Sequence, residues 1–233
     1  MSSVTDQRRG ETRRIDGKRL LVASHNKGKI RELEFLLGGL AIELVTAGEL
    51  GLPEPEETGT TFVENARIKA LASATAAGEV ALADDSGLCV EALDGAPGVY
   101  TADWSGPDRD WDMAMRLVEE KLQQKGALEP VRRRAKFVSL LCLAWPDGHT
   151  QEYLGECEGT LVWPGRRGPI AYGYDPVFVP DGQTRTFGEM NAEEKHGSIW
   201  TAPGPLSHRA RSVQKLVIEA FPEGVRPAGD SAE

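Results

Sequence analysis

Short apolar runs alternate with longer helix-like segments along the first half of this chain, and this alternation constrains the fold more than any other feature of the sequence. The strand-like runs are residues 19–24, 41–46 and 80–83. The helix-like segments are residues 26–39, 61–78 and 106–126. In the first helical segment, Ile30, Leu33 and Leu37 recur at helical spacing before Gly38-Gly39 ends the pattern. Interleaved strands and helices predict an α/β fold.

The second half of the sequence is richer in strands. Residues 134–148 and 149–162 predict a β-hairpin that turns at Pro146-Asp147-Gly148. Residues 176–180 predict another strand, and 207–221 predict a final helix with Ser207 as its N-cap. A hairpin in a chain that also alternates strands with helices indicates a mixed β-sheet flanked by helices.

Composition narrows the functional class. The chain has 233 residues, of which 40% are hydrophobic and 27% charged, so it can form a hydrophobic core without disulfide bonds or structural metal ions. Its three cysteines form no C-x-x-C pair, which argues against a disulfide framework or a zinc site and favours a reducing, cytoplasmic compartment. No apolar run approaches the roughly 18 residues of a membrane span. A net charge of −9 argues against nucleic-acid binding.

The two ends of the chain are predicted to lie outside the folded unit. The polar N-terminus predicts a disordered tail over residues 1–18, followed by one domain over 19–221 and a flexible tail over 222–233.

An acidic domain that binds a small polyanion must gather local lysines and arginines or recruit a divalent cation, because its overall field is repulsive.

A polar loop, residues 24–30, joins the first predicted strand to the first helix. Ser24, Asn26, Lys27 and Lys29, together with the amides at the helix N-terminus, could bind an anion. The Walker A pattern is absent. The alternative is a capping turn with solvated lysines, and the loop alone does not exclude it.

Two adjacent acids, Asp84 and Asp85, follow the apolar run at 80–83. We expect them at the end of a buried strand, where ligand sites of α/β sheets gather. Alternation along a strand sends the two side chains to opposite faces, so one of them leads any chemistry. Carboxylates together with substrate phosphates form typical Mg²⁺ sites, and an acid nearby could accept a proton from water. A solvated turn with an aspartate cap is the open alternative.

Three further clusters are ambiguous when read singly. The loop at 52–60 carries acids including Glu57, and Lys69 lies on the next predicted helix. Tyr172 to Asp175 precede a predicted strand, so that a tyrosine could stack on a base. His208 and Arg209 lie in the first turn of the last helix. Each cluster could equally be a solvated loop, a set of core aromatics or an exposed helix turn.

The order of the motifs is more specific than any one of them. "SHNKGK", "EETGTTFVENARIKA", "ADDSGLCVEALDGAPGVY", "YGYDPVF", "EEK" and "SHRA" follow one another between about residues 19 and 219. Together they resemble the inosine triphosphate pyrophosphatase (Ham1-like, XTP/dITP pyrophosphatase) family. The resemblance implies an elongated mixed sheet with two lobes and a central substrate cleft. It also implies Mg²⁺-dependent hydrolysis of ITP, dITP and XTP to the monophosphate and pyrophosphate, in a homodimer.

The resemblance also assigns residues. It implies Asp85 and Lys69 as catalytic, with Asp85 as proton acceptor, and a Mg²⁺ site of Glu57, Asp85 and Asp84. The residues implied in binding the purine nucleoside triphosphate are Ser24, His25, Asn26, Lys27, Gly28, Lys29, Ser86, Tyr172, Gly173, Tyr174, Asp175, Lys195, His208 and Arg209. Within this set we expect the 24–29 loop to hold the phosphates and the 172–209 residues to recognise the base.

Three positions depart from the family pattern. The family usually has phenylalanine where Tyr172 stands and often has arginine where Asp103 stands. The family also joins Lys195 to Ser207 by only a few residues, whereas this chain inserts "HGSIWTAPGPL". Two rival functions remain open at this point: a pyrophosphatase of another base scope, and a non-catalytic nucleotide-binding regulator on the same fold.

Overall fold

A computed structural model describes residues 12–168 and 170–221 of the chain. Six strands form one sheet in the order β2-β1-β3-β4-β5-β6. The strands are β1 (Arg19–Val22), β2 (Glu43–Thr46), β3 (Ala81–Val90), β4 (Arg134–Ala144), β5 (Thr150–Leu161) and β6 (Phe178–Pro180). β1 pairs in parallel with β2 and β3, while β3 to β6 pair antiparallel. The predicted α/β fold with a mixed sheet is therefore confirmed.

Five α-helices flank the sheet in the described part of the chain. They are α1 (Lys27–Leu37), α2 (Phe62–Ala77), α3 (Trp111–Gln124), α4 (Ala192–His196) and α5 (His208–Ala220). Their ends follow the sequence: Thr61 and Glu64 form a capping box at the start of α2, and Gly78 ends it in the left-handed region. Ser207 caps α5 as predicted. None of the helices in the described residues is long and apolar enough to cross a membrane.

Buried hydrophobic residues form separate clusters at the two ends of the sheet. At one end, α1 and α5 pack on one face of the sheet and α2 packs on the other, through residues such as Leu33, Leu216 and Ala70. At the other end, α3 and the 3-10 turns around β6 enclose a separate cluster that includes Phe178. The long strands β3, β4 and β5 run through both ends, so they join two lobes.

The most consequential difference from the sequence prediction is the length of β3. The strand does not end at the two aspartates but continues to Val90, and Asp84 and Asp85 pair with Leu141 and Leu140 of β4. Ser86-Gly87 reads as a turn in the sequence, yet Gly87 is a strand residue: a Cβ there would lie 2.3 Å from the carbonyl oxygen of Gly98. The glycine allows a close approach of two segments rather than a turn.

β1 stops where β3 continues. Their parallel pairing ends at Val22 opposite Leu82. Past this point Asp84 and Asp85 have no strand on the β1 side, and the loop that follows β1 lies beside them. The prediction that the two aspartates end their own strand is therefore wrong: they lie within β3, beside the point where β1 ends.

Two further features differ from the sequence prediction. The helix α4 was not predicted, because five residues are too few for a periodic pattern. Ile15 is 2% exposed and its amide donates to the carbonyl oxygen of Ala220, so the folded part begins ahead of the boundary predicted at residue 19. Residues 1–11 and the predicted C-terminal tail, 222–233, lie outside the described residues.

Candidate active site

A cleft between the two lobes contains nearly all the side chains singled out in the sequence. Its cavity volume is about 300 Å³. The N-terminal turn of α1, the middle of β3, the loop before α2, the 172–175 turn and the starts of α3 and α5 supply its walls. The cleft opens where β1 ends, because β3 continues into the other lobe with no strand on its β1 side.

Lys69 joins two carboxylates at the floor of the cleft. Its Nζ lies 2.9 Å from Oδ1 of Asp85 and 3.2 Å from Oε1 of Glu57. The other oxygen of Asp85, Oδ2, is buried and has no hydrogen-bond partner. Burial raises the pKa of Asp85 despite the ammonium beside it. Burial alone would lower the pKa of Lys69, but Asp85 and Glu57 raise it, so Lys69 is charged.

Asp84 has a different role from its neighbour. As alternation predicts, its side chain lies on the opposite face, where its oxygens accept from Ser139 and from Arg209 and where Oδ1 is 3.1 Å from Nζ of Lys29. These cations hold its pKa well below the usual range although burial opposes them. Since both oxygens are engaged, the assignment of Asp84 as a metal ligand is not supported, and its contacts position Arg209 and Lys29.

Glu32, which sequence reasoning missed, bridges two buried cations. One oxygen lies 2.7 Å from Nζ of Lys195, and the other accepts from Nη1 of Arg209. Lys195 also lies 2.8 Å from Asp175. Burial would raise the pKa of Glu32, but Lys195 and Arg209 lower it below its ordinary range. The available signal was that Glu32 lies three residues after Lys29 on α1, and therefore on the same helix face.

The insertion after Lys195 does not displace that lysine. Residues 197–205 form a loop closed by a bridge between Gly197 and Pro205, and His196 bonds the hydroxyl of Ser207. Burial lowers the pKa of His196 to about 4, so this ring is neutral at pH 7. Lys195 reaches Glu32 and Asp175 from α4, ahead of this closed loop.

The loop before α1 contributes only part of the residues assigned to it. Ser24, Asn26 and Lys29 line the cleft. Asn26 caps α1 by accepting from the amides of Gly28 and Lys29. His25 and Lys27 are exposed and lie outside the cleft lining, and the His25 ring bonds the carbonyl of Leu52. Of the loop residues assigned to substrate binding, the structure therefore brings Ser24, Asn26 and Lys29 together and leaves His25 and Lys27 outside the cleft lining.

Aromatic rings form the opposite wall. Trp111, a second residue missed from the sequence, packs edge-on against both Tyr172 and Tyr174 at 5.4 and 5.7 Å. The Tyr172 hydroxyl bonds the Asn26 amide, and its ring covers Gly28, where a Cβ would lie 3.0 Å away. Gly28 thus serves ring packing, and Gly173, at φ +60°, serves the turn between the two tyrosines.

His208 and Tyr174 offer polar atoms without partners. The His208 ring stacks on Phe137, with the ring centroids 4.8 Å apart. Burial, and to a smaller extent the charge of Arg209, keeps the pKa of His208 well below the usual value. His208 Nδ1 and the Tyr174 hydroxyl are both buried with no hydrogen-bond partner. Buried polar atoms are normally satisfied, so these two atoms point to a ligand in the cleft.

The acid residues suit a divalent cation only together with a ligand. No group of three or more His, Cys, Asp or Glu among the described residues could hold a metal ion by itself. Mg²⁺, however, is commonly bound by one or two carboxylates plus substrate phosphates. The carboxylates of Glu57 and Asp85 fit that requirement.

The fold and the cleft define an α/β protein with a small-ligand site between two lobes. The sequence profile of the Ham1 family matches residues 20–219. The dITP/XTP pyrophosphatase of Rhizobium meliloti is 60% identical over 89% of this chain and 97% of its own length, and that of Brucella melitensis is 57% identical over 90% and 96%. The chain belongs to the Ham1 family.

Solved structures agree with this placement. The HAM1 protein from Coxiella burnetii superposes with a TM-score of 0.74 at 32% identity, covering 87% of this chain and 99% of that one. The Staphylococcus aureus Ham1 protein gives a TM-score of 0.71 at 30% identity, covering 85% and 96%. The resemblance inferred from the order of the motifs is confirmed.

Proposed function

We propose that this protein hydrolyses deaminated purine nucleoside triphosphates, namely ITP, dITP and XTP, to the monophosphate and pyrophosphate. The observation that carries the proposal is the Lys69-bridged pair of carboxylates, Asp85 and Glu57, in the interlobe cleft of a Ham1 family member. The relatives named dITP/XTP pyrophosphatase support the same activity and base scope.

Asp85 is the proposed proton acceptor. Its raised pKa and its unpartnered Oδ2 suit a group that takes a proton from a water molecule as that water attacks the α–β linkage. Lys69 keeps Asp85 oriented and offers its positive charge to the phosphates, and Lys29 adds a second cation beside β3. Pyrophosphate then leaves with the electrons of the broken P–O bond.

Glu57 and Asp85 are the residues that would hold Mg²⁺. The ion, when bound, neutralises phosphate charge and so stabilises the transition state of phosphoryl chemistry. Ser24 and Asn26 complete the phosphate end of the cleft through their hydroxyl and amide groups.

The base is proposed to be read at the aromatic end. Every nitrogen of Arg209 already donates to Glu32, Asp84 or Ser86, so Arg209 positions neighbours rather than reading the base alone. The unpartnered Tyr174 hydroxyl and the neutral His208 ring are free to pair with a 6-keto purine. Adenine lacks that acceptor and leaves such donors unpaired, which rejects an analogue by about 10⁴-fold.

A substrate panel tests the proposal. Pyrophosphate release is measured with ITP, dITP, XTP, GTP and ATP, with and without Mg²⁺. We expect Mg²⁺-dependent release, with kcat/KM for ITP and XTP exceeding that for ATP by orders of magnitude. Comparable values for ATP and ITP would indicate a different base scope, and binding without release in any condition would favour a non-catalytic regulator.

Family resemblance also supports a homodimer and a cytoplasmic location, which we include in the proposal. The three cysteines of the described residues are free thiols, which suits a reducing compartment. Light scattering of the purified chain measures the oligomeric state directly, and a monomer at micromolar concentration would contradict the dimer.

A further inference from the structure

Arg109 is a cation in the cleft to which neither the sequence motifs nor the proposed mechanism gives a role. It lies between a 3-10 turn at residues 103–105 and the start of α3, and it lines the same cavity as Asp85 and Lys69. Asp110, the next residue, caps α3, so the helix fixes where the Arg109 backbone lies.

The cleft has more negative than positive side chains before any nucleotide enters. The charged residues that line it are the acids Glu32, Glu54, Glu57, Asp84, Asp85, Asp103 and Asp175 and the cations Lys29, Lys69, Arg109, Lys195 and Arg209. A nucleoside triphosphate brings about four negative charges of its own. Strong binding of its phosphates therefore needs a cation that is not already neutralised.

Four of the five cations are neutralised by carboxylates. Lys29 pairs with Asp84, Lys69 with Asp85, and Lys195 with Asp175. Arg209 is held between Asp84 and Glu32. Among the described residues, the Arg109 guanidinium has no ion pair and no side-chain hydrogen bond, although its side chain is exposed to the cleft.

The backbone at Arg109 is also unusual. Its φ is +56°, in the left-handed region that residues with a side chain rarely adopt. Asp94 is the other non-glycine residue with a positive φ in the described chain, and it lies outside the cleft. Strained backbone at a site wall is a reason to look for a function of the side chain.

Contacts of the neighbouring residue indicate which end of the cleft Arg109 serves. Trp111, two residues later, packs on the Tyr172 ring, and the Tyr172 hydroxyl bonds Asn26 at the N-terminus of α1. That helix end is where the proposed phosphate-binding loop lies. Because Trp111 also packs on Tyr174, the segment 109–111 lies where the aromatic wall meets the N-terminus of α1, next to the proposed phosphate-binding loop.

We propose that Arg109 binds the polyphosphate of the incoming nucleotide. The inference rests on the proposed function for the identity of the ligand, but it assigns a contact that the family motifs do not. The guanidinium donates N–H bonds to phosphate oxygens and adds a positive charge that has no carboxylate partner, beside the paired Lys29 and Lys69.

Binding of inorganic tripolyphosphate and of inosine to the full chain, measured by titration calorimetry, separates phosphate from base contacts. Arg109→Ala is expected to weaken tripolyphosphate binding about tenfold or more, as for loss of charge-assisted hydrogen bonds, and to leave inosine binding unchanged. Arg109→Gly, which suits a positive φ, should show the same loss, and Arg109→Lys should restore part of the affinity. Arg116→Ala on α3, an exposed arginine outside the cleft, is the matched control and should bind like wild type.

Three results would overturn the inference: no tripolyphosphate binding by wild type, wild-type affinity in Arg109→Ala, or equal loss of inosine and tripolyphosphate. Hydrolysis separates this outcome from that of the proposed function. If wild type releases pyrophosphate from ITP and Arg109→Ala has the same KM, Arg109 has no phosphate role while the function stands. If tripolyphosphate binding depends on Arg109 but no pyrophosphate is released, the contact stands and the function fails.

Discussion

At the scale of single residues, the cleft combines two kinds of buried acid. Asp84 and Glu32 have lowered pKa values and sit between cations, where they fix Lys29, Lys195 and Arg209 in place. Asp85 has a raised pKa and a free oxygen. Environments that separate the pKa values of neighbouring carboxylates usually mark different roles, and here they distinguish positioning acids from the reacting one.

Glu32→Gln tests the positioning role. Replacing the carboxylate leaves Lys195 and Arg209 short of a counter-charge in a buried site, so we expect the free energy of unfolding to fall by about 3 kcal/mol at neutral pH. The lowered pKa of Glu32 means that its ionised form stabilises the fold above its unfolded pKa and that this stability is lost as pH falls through the folded value. The difference between wild type and variant should therefore shrink in strong acid.

Urea denaturation at several pH values provides the measurement. Glu34→Gln, an exposed glutamate on the same helix, is the matched control and should change stability by a few tenths of a kcal/mol at most. A Glu32→Gln protein as stable as wild type at neutral pH would show that the network has no stabilising role.

At the scale of elements, β3 decides where the chemistry lies. The apolar run at 80–83 was readable in the sequence as a strand, but its continuation through Asp84 to Gly87 was not, because acids and glycine are depleted in strands. Tertiary contacts override that preference: β4 pairs along the whole length of β3, and buried cations form ion pairs with both acids. Paired acids in a strand are stable only when such cations come from other segments.

Gly87→Ala tests the close approach at this strand. The added Cβ would meet the Gly98 carbonyl oxygen at 2.3 Å and the Thr101 hydroxyl at 2.4 Å, so the 98–101 turn must move away from β3. We expect a loss of about 1–3 kcal/mol in unfolding free energy, together with reduced turnover because Thr101 and Val99 line the cleft. Thermal and urea unfolding beside a pyrophosphate assay measure both effects.

Gly48→Ala is the comparison for that variant. Its Cβ would find no atom nearer than 3.9 Å, so it should leave both stability and turnover near wild type. If Gly87→Ala behaved like Gly48→Ala, close packing of the turn on β3 would not matter for either property.

At the scale of the whole molecule, the cleft exists because three long strands hold two separate cores together. The sequence predicted the α/β class, the hairpin and the Ser207 cap, since each depends on a local pattern, and the order of its motifs predicted the family. It did not predict Glu32, Trp111 or Arg109 in the cleft, because their positions depend on contacts between distant segments, such as that from α4 to α1. It also did not show that the His25 and Lys27 side chains lie outside the cleft lining, since a strand-to-helix loop can direct side chains either way.

The relation between the lobes also explains why the motifs are scattered along the chain. Asp85 lies on a strand shared by both lobes, Lys69 and Glu57 approach it from the α2 side, and Lys29 and Arg209 approach from the α1 and α5 side. Each motif alone could be a solvated loop or a helix turn, and only the fold brings them to one cleft.

The central claim is that Asp85 is the proton acceptor of a nucleoside triphosphate pyrophosphatase. The most direct test is the turnover number of Asp85→Asn with ITP and Mg²⁺, measured beside the dissociation constant for ITP. We predict that kcat falls by about 10²–10⁴-fold while ITP affinity changes little, and that Asp103→Asn, which removes another carboxylate from the same cleft, keeps near wild-type kcat. An Asp85→Asn protein that hydrolyses ITP at the wild-type rate would contradict the claim.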